Sequence, residues 1–181
     1  MKATGIVRRI DDLGRIVIPK EIRRTMRIRE GDPLEIYTDK NGEVIFKKYS
    51  LIGELSQFAG EYADVVMKSC NMPILISDRE TIIACAGVPK KEVMGRRVSE
   101  ALESIMELRQ NYLYQEQADT VLYPIQDSEK IIARVASPII CEGDVAGCVI
   151  MLSVSDAPYA TDTEKKVANV AANFLGKQIE S

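Results

Sequence analysis

The stretch that decides the fold reads MKATGIVRRIDDLGRIVIPKEIRRTMRIREGDPLEIYTDKNGEVIFKK and occupies residues 1–48. It holds 12 Lys/Arg against 8 Asp/Glu, whereas the remaining chain holds 12 Lys/Arg against 19 Asp/Glu. The net charge is therefore +4 in this segment and −7 in the rest. Such an asymmetry predicts an end that binds nucleic acid, attached to a body with a different role.

The whole-chain composition limits the function classes. An apolar share of 46% with 28% charged residues is typical of a globular protein. No apolar run is long enough to cross a bilayer and no signal peptide is recognisable, so we expect no membrane partner and a cytoplasmic location. The chain has no histidine, which excludes His-based triads and His-ligated zinc or haem. We expect no metal site, no cofactor and no enzymatic activity, and four reduced, mostly buried cysteines.

The N-terminal pattern predicts short strands around one helix. Strands are expected over 3–10 and 15–18, with a turn between them, and a helix over 20–27 after Pro19. A hairpin is expected over 34–38 and 43–48, because an Asn-Gly pair separates two alternating apolar runs. A unit of under 50 residues buries little apolar surface, so we predict that it is stable only as a dimer.

The remaining residues predict an α+β domain with an antiparallel sheet flanked by helices. We place the boundary after residue 50, which gives domains at 1–50 and 51–181. The expected helices span 51–70, 100–113 and 163–179, the last one opened by a capping box at Thr161 and Glu164. The expected strands span 74–77, 81–86, 121–125, 130–140 and 146–154.

Helix 51–70 carries a heptad-spaced apolar seam. Its members are Leu51, Leu55, Phe58, Tyr62 and Val65, widened by Ile52, Ala59 and Val66. Two interpretations stay open: the helix packs on its own domain, or its seam pairs between chains. If helices 51–70 and 163–179 pair between chains, they join two dimers into a tetramer.

The helix over 20–27 collects basic residues on one face. Lys20, Arg23, Arg24 and Arg27 follow the i, i+3, i+4, i+7 spacing of a single face. Arginine suits nucleic acid because its fork binds phosphate bidentately and reads guanine in the major groove. The alternative is a solvated charged face, partly neutralised by the neighbouring Asp and Glu residues.

The run TGIVRRIDDLGRIVIPKEIRRTM at 4–26, with LEIYTD at 34–39 and IFKKY at 45–49, resembles the AbrB family of bacterial transition-state regulators. The resemblance implies a swapped-hairpin β-barrel in which two chains interleave to bind double-stranded DNA. It implies DNA contacts by Arg8, Arg9, Arg15, Arg23 and Arg24. It also implies a transcription regulator of sporulation genes, activator or repressor, associated with the nucleoid. AbrB-like barrels also occur in antitoxins that neutralise a partner protein, which is the alternative function.

The C-terminal region resembles a GAF domain in the order of its elements. This resemblance implies oligomerisation and a small-molecule ligand of unknown identity. The chain lacks the cyclic-nucleotide signature of that family, and without histidine it lacks the usual supports for bilin or haem. We place a hypothetical pocket near Cys85, Arg134 and Cys141. The alternative is a GAF-like fold that serves assembly alone.

Overall fold

A computed structural model describes residues 5–49, 56–116, 121–153 and 159–180. The chain divides into two compact units, Met1–Tyr49 and Ser50–Ser181. Each unit is built from its own elements. In the described residues, no helix has both the length and the apolar character that a membrane span requires.

The N-terminal unit contains a short helix, α1 (Lys20–Thr25), and a hairpin of β1 (Leu34–Thr38) and β2 (Val44–Lys48). The strands pair antiparallel with Ile36 opposite Phe46. At the turn, the Asp39 carboxylate accepts hydrogen bonds from the backbone N–H groups of Asn41 and Glu43 at 3.0 and 2.8 Å. The predicted hairpin is therefore confirmed.

The strands predicted at 3–10 and 15–18 do not form within one chain. Residues 5–10 and 15–19 have no regular secondary structure, and residues 1–4 lie outside the described part. A strand needs a neighbour to complete its backbone hydrogen bonds, and one bond between the N–H of Asp11 and the carbonyl of Arg15 is not a ladder. Alternating side chains alone do not show whether a partner strand is available in the same chain.

The C-terminal unit is a five-stranded antiparallel sheet with helices on both faces. In spatial order the strands are β4 (Ile82–Ala86), β3 (Ile74–Asp78), β7 (Asp144–Leu152), β6 (Ala133–Cys141) and β5 (Tyr112–Leu113). The helices are α2 (Ser56–Cys70), α3 (Lys90–Val93), α4 (Glu100–Leu108) and α5 (Asp162–Ile179). The predicted α+β class is confirmed.

Two apolar cores lie on opposite faces of this sheet. One joins α2 and α5 to the face that carries Ile74, Ile76 and Val149. The other joins α3, α4 and the chain around Ile125 to the face that carries Leu75 and Ile150. Alternation of side chains along each strand separates the two sets.

Three elements of the C-terminal unit differ clearly from the sequence predictions. Helix α4 ends at Leu108 instead of 113, because Arg109 adopts a left-handed backbone with φ 53° and Tyr112–Leu113 joins the sheet. The segment 121–125 makes isolated bridges through Leu122 and Ile125 rather than a strand. Helix α3 was not predicted, because four residues are too few to show a helical period.

The central hairpin and the last helix follow the prediction more closely. Glu142 and Gly143, with φ of 48° and 87°, form the turn between β6 and β7, a conformation that suits two-residue hairpin loops. Helix α5 opens with the predicted capping box of Thr161 and Glu164. Near its end, Gly176 packs against the backbone carbonyl of Ile140, where any Cβ atom would clash.

Helix α2 packs on its own domain, which is one of the two interpretations of its seam. Ala59, Ala63 and Val66 are buried against the sheet. The rings of Phe58 and Tyr62 lie 5.7 and 5.6 Å from the ring of Phe174 on α5. The seam positions Leu51, Ile52 and Leu55 fall outside the described residues.

Candidate nucleic-acid interface

The predicted DNA-contacting arginines lie on three parts of the N-terminal unit. Arg8 and Arg9 lie in the extended segment before the turn, Arg15 lies directly after the turn, and Arg23 and Arg24 lie on α1. Four of these side chains are exposed and Arg23 is half-buried. Arg8, Arg9 and Arg24 are exposed, and among the described residues none of the three forms an ion pair with a carboxylate.

Asp11 organises the turn that presents Arg15. Its carboxylate accepts hydrogen bonds from the backbone N–H groups of Leu13 and Arg15 at 3.0 and 2.7 Å. The Nε atom of Arg15 donates to the same carboxylate at 2.8 Å. The backbone hydrogen bond from Arg15, followed by its side-chain hydrogen bond, lowers the pKa of Asp11 below its usual value. Asp11 therefore stays ionised and holds one edge of the Arg15 fork, a role that sequence reasoning missed.

Helix α1 brings Lys20, Arg23 and Arg24 together but not Arg27. After Thr25 the backbone N–H of Ile28 donates to the carbonyl of Arg23 at 2.7 Å, and that of Arg27 donates to the carbonyl of Arg24 at 3.2 Å. These two bonds form a Schellman motif, which places Arg27 in the left-handed region with φ 50°. The prediction that Arg27 extends the basic face is wrong, because the helix has already ended.

The same unit leaves its large apolar side chains in contact with solvent. Among residues 5–49 only Pro19 is buried. The exposed fraction reaches 86% for Val7 and 72% for Val17. Other exposed members of this set are Ile6, Ile10, Leu13, Ile16, Met26, Ile36, Val44 and Phe46. Met26, directly after α1, is 59% exposed and does not anchor the helix in an apolar core. One copy therefore does not bury a core of its own.

The hypothetical ligand pocket in the C-terminal unit is not supported. Cys85 belongs to the core beneath α3 and α4, whereas Cys141 belongs to the core beneath α2 and α5. Arg134 forms an ion pair with Glu164 of α5. The three residues do not share one face of the sheet, so they cannot line one cavity there. The sequence alone does not show on which side of the sheet the side chains of each strand lie, so it could not separate these three residues.

The cysteines do not form a reactive or metal-binding centre in the described residues. Cys85, Cys141 and Cys148 are buried, Cys70 is exposed, and all four are free thiols. Burial raises the pKa of the Cys85, Cys141 and Cys148 thiols, which disfavours the nucleophilic thiolate. In the part of the chain that the structure describes, no three Cys, Asp or Glu side chains are grouped to hold a metal ion.

Two family models match the chain. The model described as stage V sporulation protein T C-terminal, transcription factor, matches residues 54–180. The model described as antidote-toxin recognition MazE, bacterial antitoxin, matches residues 7–51. The first match covers most of the chain and the second covers the basic N-terminal unit.

Individual relatives agree with this division. Stage V sporulation protein T of Bacillus subtilis is 48% identical over 99% of this chain and 99% of its own length. Transition state regulatory protein AbrB of the same organism is 47% identical over 42% of this chain and 78% of its own length.

A solved structure is similar to the C-terminal unit. The alignment with the GAF domain of a phosphoenolpyruvate-protein phosphotransferase from Coxiella burnetii spans 69% of this chain and 82% of that one. Its TM-score is 0.53 and the sequence identity is 16%. This likeness confirms the GAF-like fold. The 48% identity over nearly the full length and the match to the C-terminal family model together establish the family. The chain belongs to the stage V sporulation protein T family of transcription factors.

Proposed function

We propose that the chain regulates transcription of sporulation genes by binding double-stranded DNA through paired N-terminal units. Residues 1–50 form the DNA-binding domain and 51–181 the GAF-like domain. Arg8, Arg9, Arg15, Arg23 and Arg24 are the proposed contacts. The observation that carries the proposal is that these arginines lie on a unit with net charge +4, on a chain whose remainder carries −7. Lys and Arg provide most of the affinity for the phosphate backbone.

Pairing of two N-terminal units follows from their exposed apolar side chains. A second copy would cover residues such as Val7, Val17 and Ile36, and would offer a neighbouring strand to segments 5–10 and 15–19, which have no regular secondary structure. The swapped-hairpin barrel, in which hairpins of two chains interleave, satisfies both needs at once. It also doubles the number of guanidinium groups on one surface, from five to ten.

The GAF-like domain is the proposed second assembly surface. On the outer side of α2 and α5, Val65 and Val170 are 58% and 63% exposed, and Phe174 is 39% exposed beside Phe58 and Tyr62. Burial of this stripe against a second copy would join two dimers into a tetramer. Two tethered DNA-binding units gain avidity without new contacts. A small-molecule regulator stays a hypothesis that rests on the GAF-like fold alone.

The proposed activity is regulatory and not catalytic. The chain lacks histidine, and its three buried thiols have raised pKa values. Because DNA is the proposed partner, we place the protein in the cytoplasm at the nucleoid.

Neutralisation of a toxin is the rival function, and one observation favours it: the antitoxin model matches residues 7–51. Antitoxins of this kind wrap their target with a tail that folds on binding. Here the residues beyond the N-terminal unit build two apolar cores around their own sheet. This second folded unit supports the regulatory function instead.

A fragment of residues 1–50 separates the two functions. We expect it to be a dimer by light scattering and to retard double-stranded DNA in a gel shift, with weaker affinity than the full chain because avidity is lost. The Arg23→Ala, Arg24→Ala fragment is the control for charge-driven binding. A folded monomeric fragment would overturn the pairing. A folded dimer that does not retard DNA would favour the antitoxin function.

A further inference from the structure

Arg134 is a buried cation at the start of β6, held between three parts of the C-terminal unit. Its side chain is 3% exposed, and its Nη1 atom lies 2.9 Å from Oε1 of Glu164, which is 5% exposed. Its Nη2 atom donates to the carbonyl oxygen of Tyr159 in the segment before α5. Its Nε atom has no hydrogen-bond partner among the described residues.

Glu164 is engaged on its other side by the capping box of α5. Its Oε2 atom accepts hydrogen bonds from the backbone N–H and the hydroxyl of Thr161, both at 2.7 Å. The hydroxyl oxygen of Thr161 accepts from the backbone N–H of Glu164 at 3.2 Å. Glu164 therefore links the start of α5 to strand β6 through Arg134. A capping box alone would stabilise the helix without fixing where it lies.

The surface that α5 turns to the sheet is formed mostly by small side chains, with one close contact of Gly176 against the carbonyl of Ile140 near the end of the helix. Its buried side chains include Ala168, Ala171 and Ala172, which are small and similar. The three alanines alone would allow several closely related placements of the helix, and Leu175 and Gly176 restrict these placements only near its C-terminal end. Directional polar contacts distinguish these placements. Besides the buried pair, Ser137 Oγ contacts Asn169 Oδ1 at 3.1 Å.

The energetics also favour a positioning role. Desolvation largely offsets the attraction within a buried ion pair, so a well-packed apolar pair is often equally stable. A single buried polar contact can nevertheless specify one arrangement among several that are similar in energy. Net stability therefore does not account for the pair.

We propose that the Arg134–Glu164 pair is a positioning device that fixes α5 on the sheet. Helix α5 carries Phe174, whose ring packs against Phe58 and Tyr62 of α2. The pair thereby sets the shape of the exposed stripe on α2 and α5. The consequence for assembly rests on the proposed function, whereas the placement of α5 does not.

The test replaces both charges in the full-length chain, with Arg134→Met and Glu164→Leu together. The matched control removes a more exposed ion pair at the C-terminal end of α5, in which Lys177 Nζ lies 2.6 Å from Oε2 of Glu180, the residue directly after the helix, with Lys177→Met and Glu180→Leu. For each protein we measure the urea midpoint, hydrogen exchange of the α5 amides and the mass in solution. The buried replacement is expected to keep its urea midpoint but lose about tenfold or more of its exchange protection in α5. The control should keep both.

Each outcome decides the proposal. Wild-type exchange protection in the doubly substituted chain would overturn it, because α5 would be held without the pair. Loss of cooperative unfolding would also overturn it, since the pair would then provide stability and not position. If the unsubstituted chain is a monomer in solution, the proposed assembly fails, while the exchange measurement still tests the placement of α5.

Discussion

Replacing Arg23 and Arg24 together by alanine is expected to weaken binding of the full chain to double-stranded DNA by about a hundredfold or more. Each arginine that contacts a base or phosphate contributes roughly 1–3 kcal/mol, and a dimer loses four of them. Both side chains lie on α1, next to Lys20 and before the Schellman motif that ends the helix. Fluorescence anisotropy with a labelled duplex at fixed salt measures the affinity.

The fold should survive this substitution, because neither arginine contributes to an apolar core. A matched control, Lys165→Ala with Lys166→Ala, removes the same charge from exposed positions on α5 and should change affinity by less than about threefold. If the α1 variant binds DNA like the unsubstituted chain while the mass in solution is unchanged, α1 is not part of the interface.

Replacing Arg134 alone by alanine is expected to destabilise the C-terminal unit by about 3–5 kcal/mol. The substitution leaves the Glu164 carboxylate buried with no counter-charge, and it also removes the hydrogen bond to Tyr159 and the packing of the long side chain. Urea unfolding followed by circular dichroism measures the free energy. This large loss of unfolding free energy contrasts with the nearly unchanged stability expected when Arg134 and Glu164 are both replaced by apolar side chains.

Arg109→Ala serves as the control for this loss. The Nη2 atom of Arg109 lies 3.9 Å from Oδ1 of Asp144, and both side chains are more than half exposed. Exposed ion pairs contribute about 0–1 kcal/mol, so the free energy of unfolding should change little. Equal losses for Arg134→Ala and Arg109→Ala would contradict the distinction between a buried and an exposed pair.

The sequence predicted those parts of the fold whose signals are local. The hairpin around Asn41-Gly42 and the capping box at Thr161 and Glu164 depend on neighbouring residues only, and both are confirmed. The end of α4 could not be predicted, because the left-handed position is held by Arg109 instead of glycine. The strands expected over 3–10 and 15–18 were wrong for a different reason: a strand forms only where a neighbouring strand completes its hydrogen bonds, and residues 5–10 and 15–19 have no regular secondary structure.

In the candidate site, too, local patterns were predicted correctly and features that depend on the three-dimensional structure were not. Periodicity placed Lys20, Arg23 and Arg24 on one helix face, but it could not show that Arg27 lies beyond the helix end. The hydrogen bonds between Asp11 and Arg15 depend on a turn conformation that the composition does not reveal. Cys85 and Cys141 were grouped wrongly because the sequence does not show that these side chains, on β4 and β6, lie on opposite faces of the sheet.

Salt dependence of DNA binding tests the central claim most directly. The affinity of the full chain for a duplex should fall linearly with the logarithm of salt concentration, with a slope of about −0.9 for each phosphate contact. If half of the ten arginines of a dimer contact phosphate, the slope is about −4.5. A slope near zero between low and physiological salt would contradict an arginine-based DNA interface.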